Sequence, residues 1–205
     1  EAIKRGSSKG VEALICHGAN ALNEKVGVAS RYIKSSFFNF DIFKKIQQMN
    51  IFLEAPFQEA IYAKLNNCSL HIWNIAKSMD LCTKLAKNKD KHKRIPLSAA
   101  IMTKNDMLVK ILLSSSYELE SSDEDGRTPF IYACMVDCYP WMTDIFSKIL
   151  LSNANKVDRN DCSALSYAAF NNNKSFCEEL FIRNIEVDNI KTDKYGIIES
   201  FRTIL

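Results

Sequence analysis

The feature that most constrains this chain is a short pattern that returns at nearly constant spacing. "RIPLSAAI" carries Ile95-Pro96-Leu97 with Ala100, "GRTPFIYAC" carries Thr128-Pro129-Phe130 with Ala133, and "CSALSYAAF" carries Ser163-Ala164-Leu165 with Ala168. The first two copies lie 33 residues apart and the next pair 35. "EAPFQEAIY", with Ala55-Pro56-Phe57 and Ala60, stands 40 residues upstream of the first. Periods of this size belong to repeat arrays. The fullest copy, "DEDGRTPFIYAC", also says what each one builds. Gly126 permits a tight turn, Thr128 can cap a helix, Pro129 fits its first turn, and Ala133 leaves a small face for a neighbouring helix.

Within a unit two helices alternate with a polar loop. "PLSAAIMTKN" reads as a short helix with small residues on one side. "DMLVKILLSSS" reads as a more apolar second helix, whose wide buried face would hold Met107, Val109, Ile111, Leu112 and Leu113. The loop "YELESSDEDG" leads into the next copy. Two short helices and a polar hairpin cannot bury their own apolar faces, so stacking must do it.

Composition narrows the class. Six glycines and four prolines argue against a linker-rich or many-turned all-β chain. A net charge of +3, with basic residues spread along the chain, gives no footprint for nucleic acid. The seven cysteines include no C-x-x-C pair and read as reduced, mostly buried thiols of a cytoplasmic protein. No apolar run approaches the roughly 20 residues that cross a bilayer, so no membrane insertion is expected. "EAIKRGSSKG" does not read as a secretory signal but as the middle of a unit, which suggests a fragment of a longer chain.

On these motifs the chain resembles the ankyrin-repeat family. "AIKRGSSKGVEALICHGAN" matches the second half of that repeat without a gap. Ala2, Gly6, Val11, Leu14, Ile15, Gly18, Ala19 and Asn20 take the family's small, glycine, apolar and Gly-Ala-Asn places. "ILLSNAN" echoes the same ending, with Asn153 in a left-handed place where glycine is usual. The resemblance implies an all-α ankyrin-repeat solenoid, curved, with β-hairpin-like loops and a concave groove. About six units are expected in a single domain, 1–205: 1–22 partial, 23–53 and 54–90 degenerate, 91–123, 124–158, 159–191, and 192–205 as a partial cap. Two departures stand out. Ser98, Ile131 and Ser166 occupy the place where the family commonly has histidine, and "VASRYIKSSFFNFDIFKKI" lacks the Thr-Pro-Leu start.

Reactive chemistry is hard to assemble. His17, His71 and His92 fall on a hairpin, a helix and a hairpin, and Cys16 sits where small apolar residues pack. Cys134 and Cys138 could share a helix face, but no further ligands complete a metal site. Asp123, Glu124 and Asp125 lack cation-loop spacing and read as a solvated tip. There is no phosphate loop. Asn67-Cys68-Ser69 and Asn173-Lys174-Ser175 fit a glycosylation pattern but fall in expected helices. No catalytic residue, cofactor site or metal site is therefore assigned, and the chain is read as not an enzyme.

The resemblance implies binding through the hairpin tips and the open side of the first helices. One unit then offers Lys91, Lys93, Arg94, Ser98 and Met102, the next Glu124, Asp125, Arg127, Ile131 and Met135, and the third Arg159, Asn160, Asp161, Ser166 and Phe170. Between "FIYAC" and "IFSKILL" the stretch "MVDCYPWMTD" reads as an insertion that delays the second helix. It would place Tyr139, Pro140 and Trp141 in an inter-helix loop, where Tyr139 and Trp141 are either contacts or, for Trp141, a plug folded over the stack. Phe37, Phe38 and Phe40 pose the same choice, with core packing favoured. The expected function is a non-catalytic protein-interaction module, a monomeric scaffold or adaptor for another protein. The alternative is the recruiting part of a larger enzyme or microbial effector, which would then work in host-cell cytosol.

Overall fold

The computed structural model describes residues 54–78, 80–114, 118–183 and 185. The expected units at 1–22, 23–53 and 192–205, and the readings of Cys16, His17, Phe37, Phe38 and Phe40, lie outside these residues. The chain divides into two compact units, at residues 1–90 and 91–205.

In the first unit α1 (Glu54–Tyr62) packs on α2 (Asn66–Ser78), and α2 on the short α3 (Cys82–Lys87). Phe57 and Trp73 meet at their core, ring centres 6.0 Å apart. The Tyr62 hydroxyl donates to Asp90 Oδ2 at 2.5 Å, and Gln58 Nε2 to the Asn88 carbonyl at 3.1 Å, so the segment after α3 is fastened back onto α1.

The second unit repeats one plan. A first helix of seven residues, α4 (Pro96–Met102), α6 (Pro129–Met135) or α9 (Ala164–Phe170), turns back into a second: α5 (Asp106–Ser114), α7 (Tyr139–Phe146) or α10 (Lys174–Ile182). A short turn of helix, α8 (Leu151–Ala154), follows α7. First helices stack on first helices, α4 on α6 and α6 on α9, and each packs on its own second helix. Ala100, Ala133 and Ala168, one on each of these stacked first helices, are wholly buried, as a small residue for a close neighbour predicts. The helix starts follow their local chemistry. Thr128 accepts from the Ile131 amide with Pro129 in the first turn, while Ser163 and Ser166 cap each other reciprocally. Gly126 has φ +80°, and a Cβ there would lie 3.3 Å from Asp158 Cα.

Phe130, Phe146 and Phe176 form the aromatic centre. The first two stack at 5.4 Å, and Phe176 meets both edge-on. On α5 the buried face is Leu108, Val109, Leu112 and Leu113: Met107, expected inside, is instead 58% exposed, Ile111, also expected inside, is half-buried, and Leu108 takes a buried place. The helix is rotated about its axis to lay its 108/112 and 109/113 pairs, each four residues apart, on the stack.

Two further expectations are corrected. The second helix at Tyr139 does not start late: three residues separate α6 from α7, as they separate α4 from α5 and α9 from α10. Asn105 and Asn173 cap the neighbouring second helices, accepting from the Leu108 and Phe176 amides at 3.2 Å. Cys138 stands in their place and makes no side-chain cap, while Pro140 lies in the first turn, where a missing N–H costs little. A cap-less start and a proline thus imitate a loop. The extra length falls after α7, around α8. Asn153, expected in a left-handed turn, lies inside α8 and is not among the residues with positive φ.

Candidate interaction surface

Three tips project before the first helices, at residues 91–94, 123–127 and 158–162. Each holds a left-handed residue at the same register: Lys93 (φ +60°), Gly126 and Asp161 (φ +58°). Neighbouring tips are joined by main-chain hydrogen bonds as well as by side-chain pairs. The Glu124 amide donates to the His92 carbonyl at 3.0 Å, and the Arg159 amide to the Asp125 carbonyl at 2.8 Å.

Inside each of the later tips an aspartate organises the turn. Asp123 Oδ1 accepts from the amides of Asp125 and Arg127, and its Oδ2 from the Tyr132 hydroxyl at 2.6 Å. One repeat on, Asp158 accepts from the amides of Asn160 and Cys162 and from the Tyr167 hydroxyl at 2.7 Å. Arg127 adds contacts to Asp158 at 3.4 Å and Asp125 at 3.1 Å. Burial and the bond to Asp123 push the Tyr132 phenol up to about 12, and burial with the bond to Asp158 raises Tyr167 as well. The sequence carried this signal as an aspartate and a tyrosine nine residues apart, twice, one period apart.

The charges at the tips are largely answered within the protein. His92 Nδ1 meets Glu124 Oε1, and Asp125 meets both Arg127 and Arg159. Lys91, Lys93, Arg159 and Asp161 are exposed; Arg94, Glu124, Asp125, Arg127 and Asn160 are half-buried.

The first helices show less surface than expected. Ser98, Ile131 and Ser166, placed on their open side by sequence, are each only 1% exposed. A two-turn helix held between its neighbours and its own second helix has few open positions, and these side chains point into the stack. What remains open is the residue at the C-terminal end of each, Met102 (38% exposed), Met135 (half-buried) and Phe170 (57% exposed), and in the third copy also the half-buried Tyr167. They lie 33 and 35 residues apart, at the same place in each copy. Arg94 Nη1 sits 3.6 Å from the Met102 sulfur, tying tip to row in the first copy.

Trp141 does not reach this surface. It is 5% exposed and donates its indole N–H to Asp106 Oδ1 at 3.2 Å, binding α7 to α5. It is therefore packed between second helices, the plug of the two alternatives. Tyr139 is exposed but leans edge-on against Phe176 and reaches Glu179 with its hydroxyl, on the second-helix side.

Reactive groups are muted. Burial pushes the Cys134 thiol well up and Cys177 up to about 11. Among the described residues, no group of three His, Cys, Asp or Glu side chains is placed to hold a metal ion. A depression of about 500 Å³ between Glu118, Leu119, Glu120, Ser121, Lys148 and Lys156 is polar. Its lysines donate to the Leu113 and Glu120 carbonyls, fastening the loop rather than presenting charge. No described helix is long and apolar enough to cross a membrane.

Residues 97–191 match the family model for ankyrin repeats (3 copies). No curated protein matched the chain.

Proposed function

We propose that this chain, an ankyrin-repeat protein, works as a non-catalytic interaction module that holds another protein against its tips and the open ends of its first helices. The observation that carries the reading is the register of Met102, Met135 and Phe170, one apolar side chain at the C-terminal end of each copy, exposed or half-buried where the rest of each first helix is buried apart from the half-buried Tyr167. Apolar side chains in a row with a polar, charged border have the make-up of a protein-binding patch. A concave groove along that row is part of the proposal.

That the module is non-catalytic is part of the proposal; burial, which raises the Cys134 and Cys177 thiols, makes these two poor nucleophiles. A reducing compartment suits the six free cysteines among the described residues.

The test is an affinity capture from lysate with wild-type chain and a Met102→Glu/Phe170→Glu variant, both checked by circular dichroism. A protein held by the first and released by the second establishes the module. Equal capture by both moves the site elsewhere.

A further inference from the structure

We propose that Ser121 is a phosphorylation site for an acid-directed protein kinase, and that its phosphate is received by Lys148 and Lys156 in the polar depression they line together. The site goes beyond the interaction reading and does not depend on it.

The sequence supplies the kinase's half. In "ELESSDED" Ser121 has Glu118 and Glu120 before it and Asp123, Glu124 and Asp125 after it. Kinases choose substrates partly by complementary charge, so a hydroxyl among acids suits an enzyme with a basic substrate groove. Ser121 lies outside any helix, is half-buried, and its Oγ is in no hydrogen bond among the described residues. In the transfer Ser121 Oγ attacks the γ-phosphorus of ATP and the bond from that phosphorus to its bridging oxygen breaks. ADP leaves, and the hydroxyl proton passes through the kinase to water.

The fold supplies the receiving half. The extra length after α7 brings in Lys148, just past that helix, and Lys156, just past α8. Both line the depression with Ser121. Lys156 Nζ lies 3.2 Å from the Glu120 carbonyl, part of the same peptide group as the Ser121 nitrogen. Lys148 Nζ lies 2.7 Å from the Leu113 carbonyl. In the unmodified chain both ammoniums fasten the loop through these neutral acceptors. Neither is in an ion pair among the described residues, so each keeps its charge and further N–H donors.

A phosphate on Ser121 brings these ammoniums a nearly doubly negative group with strong acceptor oxygens. Bonds between ionised partners are stronger than those to neutral carbonyls. The segment before the second tip is then held to the segment after α7 more firmly than by carbonyls alone. Glu118 and Glu120 also line the depression and oppose the phosphate. Both are exposed, where water and salt screen the repulsion.

The experiment treats the whole folded chain with magnesium ATP and either casein kinase, which is acid-directed, or a base-directed kinase, and maps phosphate by mass spectrometry. The expected result is phosphate on Ser121 from the first enzyme alone, kept in Ser122→Ala and lost in Ser121→Ala. No phosphate, phosphate on Ser122 alone, or equal transfer by both enzymes overturns the proposal. Phosphorus NMR then follows the second ionisation of the phosphate in the chain and in a phosphopeptide spanning Glu118 to Asp125. The peptide carries the same acids and lacks both lysines. A nearby ammonium favours the dianion, so the chain's phosphate should titrate roughly half a pH unit or more below the peptide's. Lys148→Gln and Lys156→Gln, which keep long side chains, should together return it to the peptide's midpoint. The same midpoint in chain and peptide, or a shift that survives both substitutions, overturns the capture by these lysines.

Discussion

Tyr167 donates its hydroxyl to Asp158 at 2.7 Å, across the turn from tip to first helix, and Tyr132 does the same to Asp123 one repeat earlier. The two pairs differ in burial. The Asp158 side chain has no exposed surface and also accepts from Arg127, while Asp123 is half-buried.

That difference sets the first prediction. Asp158→Ala leaves two amides, a phenol and a guanidinium without their acceptor, a loss of roughly 3–5 kcal/mol for a broken buried pair. Asp123→Ala should cost less, about 1–3 kcal/mol, since water replaces part of what is lost. Urea midpoints of the two variants decide it, and equal costs would refute the argument from burial.

The same phenols give an alkaline limit. Tyr132 titrates near 10 when unfolded and at about 12 when folded, and Tyr167 is raised too. A raised folded value means the native state holds its proton longer. Stability is then fully present below pH 10 and is lost as pH rises from about 10 through 12. Denaturant midpoints at pH 9, 10.5 and 11.5 should fall in that order. Tyr132→Phe should flatten the decline.

Trp141 supplies a third. Trp141→Ala opens a cavity between α5 and α7 and should cost about 3–5 kcal/mol. Trp141→Phe keeps most of the packing, forfeits the bond to Asp106, and should cost about 1 kcal/mol by urea titration. If the alanine variant is as stable as wild type, the indole is not packed as described.

Backbone strain supplies a fourth. Asp161 holds φ +58° at the register where Gly126 stands one copy earlier. Asp161→Gly should raise stability by roughly 0.5–1 kcal/mol, because glycine meets no left-handed penalty. Gly126→Ala should lower it, since its Cβ would crowd Asp158. Thermal melting of both variants checks the signs.

What could be read from the sequence was whatever repeats. Thr128, Pro129, Gly126 and Ala133 act as their chemistry says, and the spacing gave the repeat fold. Departures from the repeat misled. Cys138 hides the asparagine cap its neighbours carry, and Pro140 looks like a break although it sits in a helix's first turn. The burial of Ser98, Ile131 and Ser166 was out of reach for another reason. Which side of a two-turn helix is open depends on its neighbours across the stack, and no periodicity within seven residues records that.

The tips are joined through main-chain groups: the amides of Glu124 and Arg159 and the carbonyls of His92 and Asp125. Such joints are indifferent to the side chains they carry. Mutation can therefore exchange the outward residues Lys91, Lys93 or Asp161 and keep the main-chain link from one copy to the next; exchanging Arg159 gives up only its ion pair to Asp125. In a lineage that gains and loses binding partners, these are the positions expected to drift fastest. The aspartates and tyrosines beneath Arg127 and Arg159 are expected to stay, and comparing chains that share this spacing would reveal the contrast.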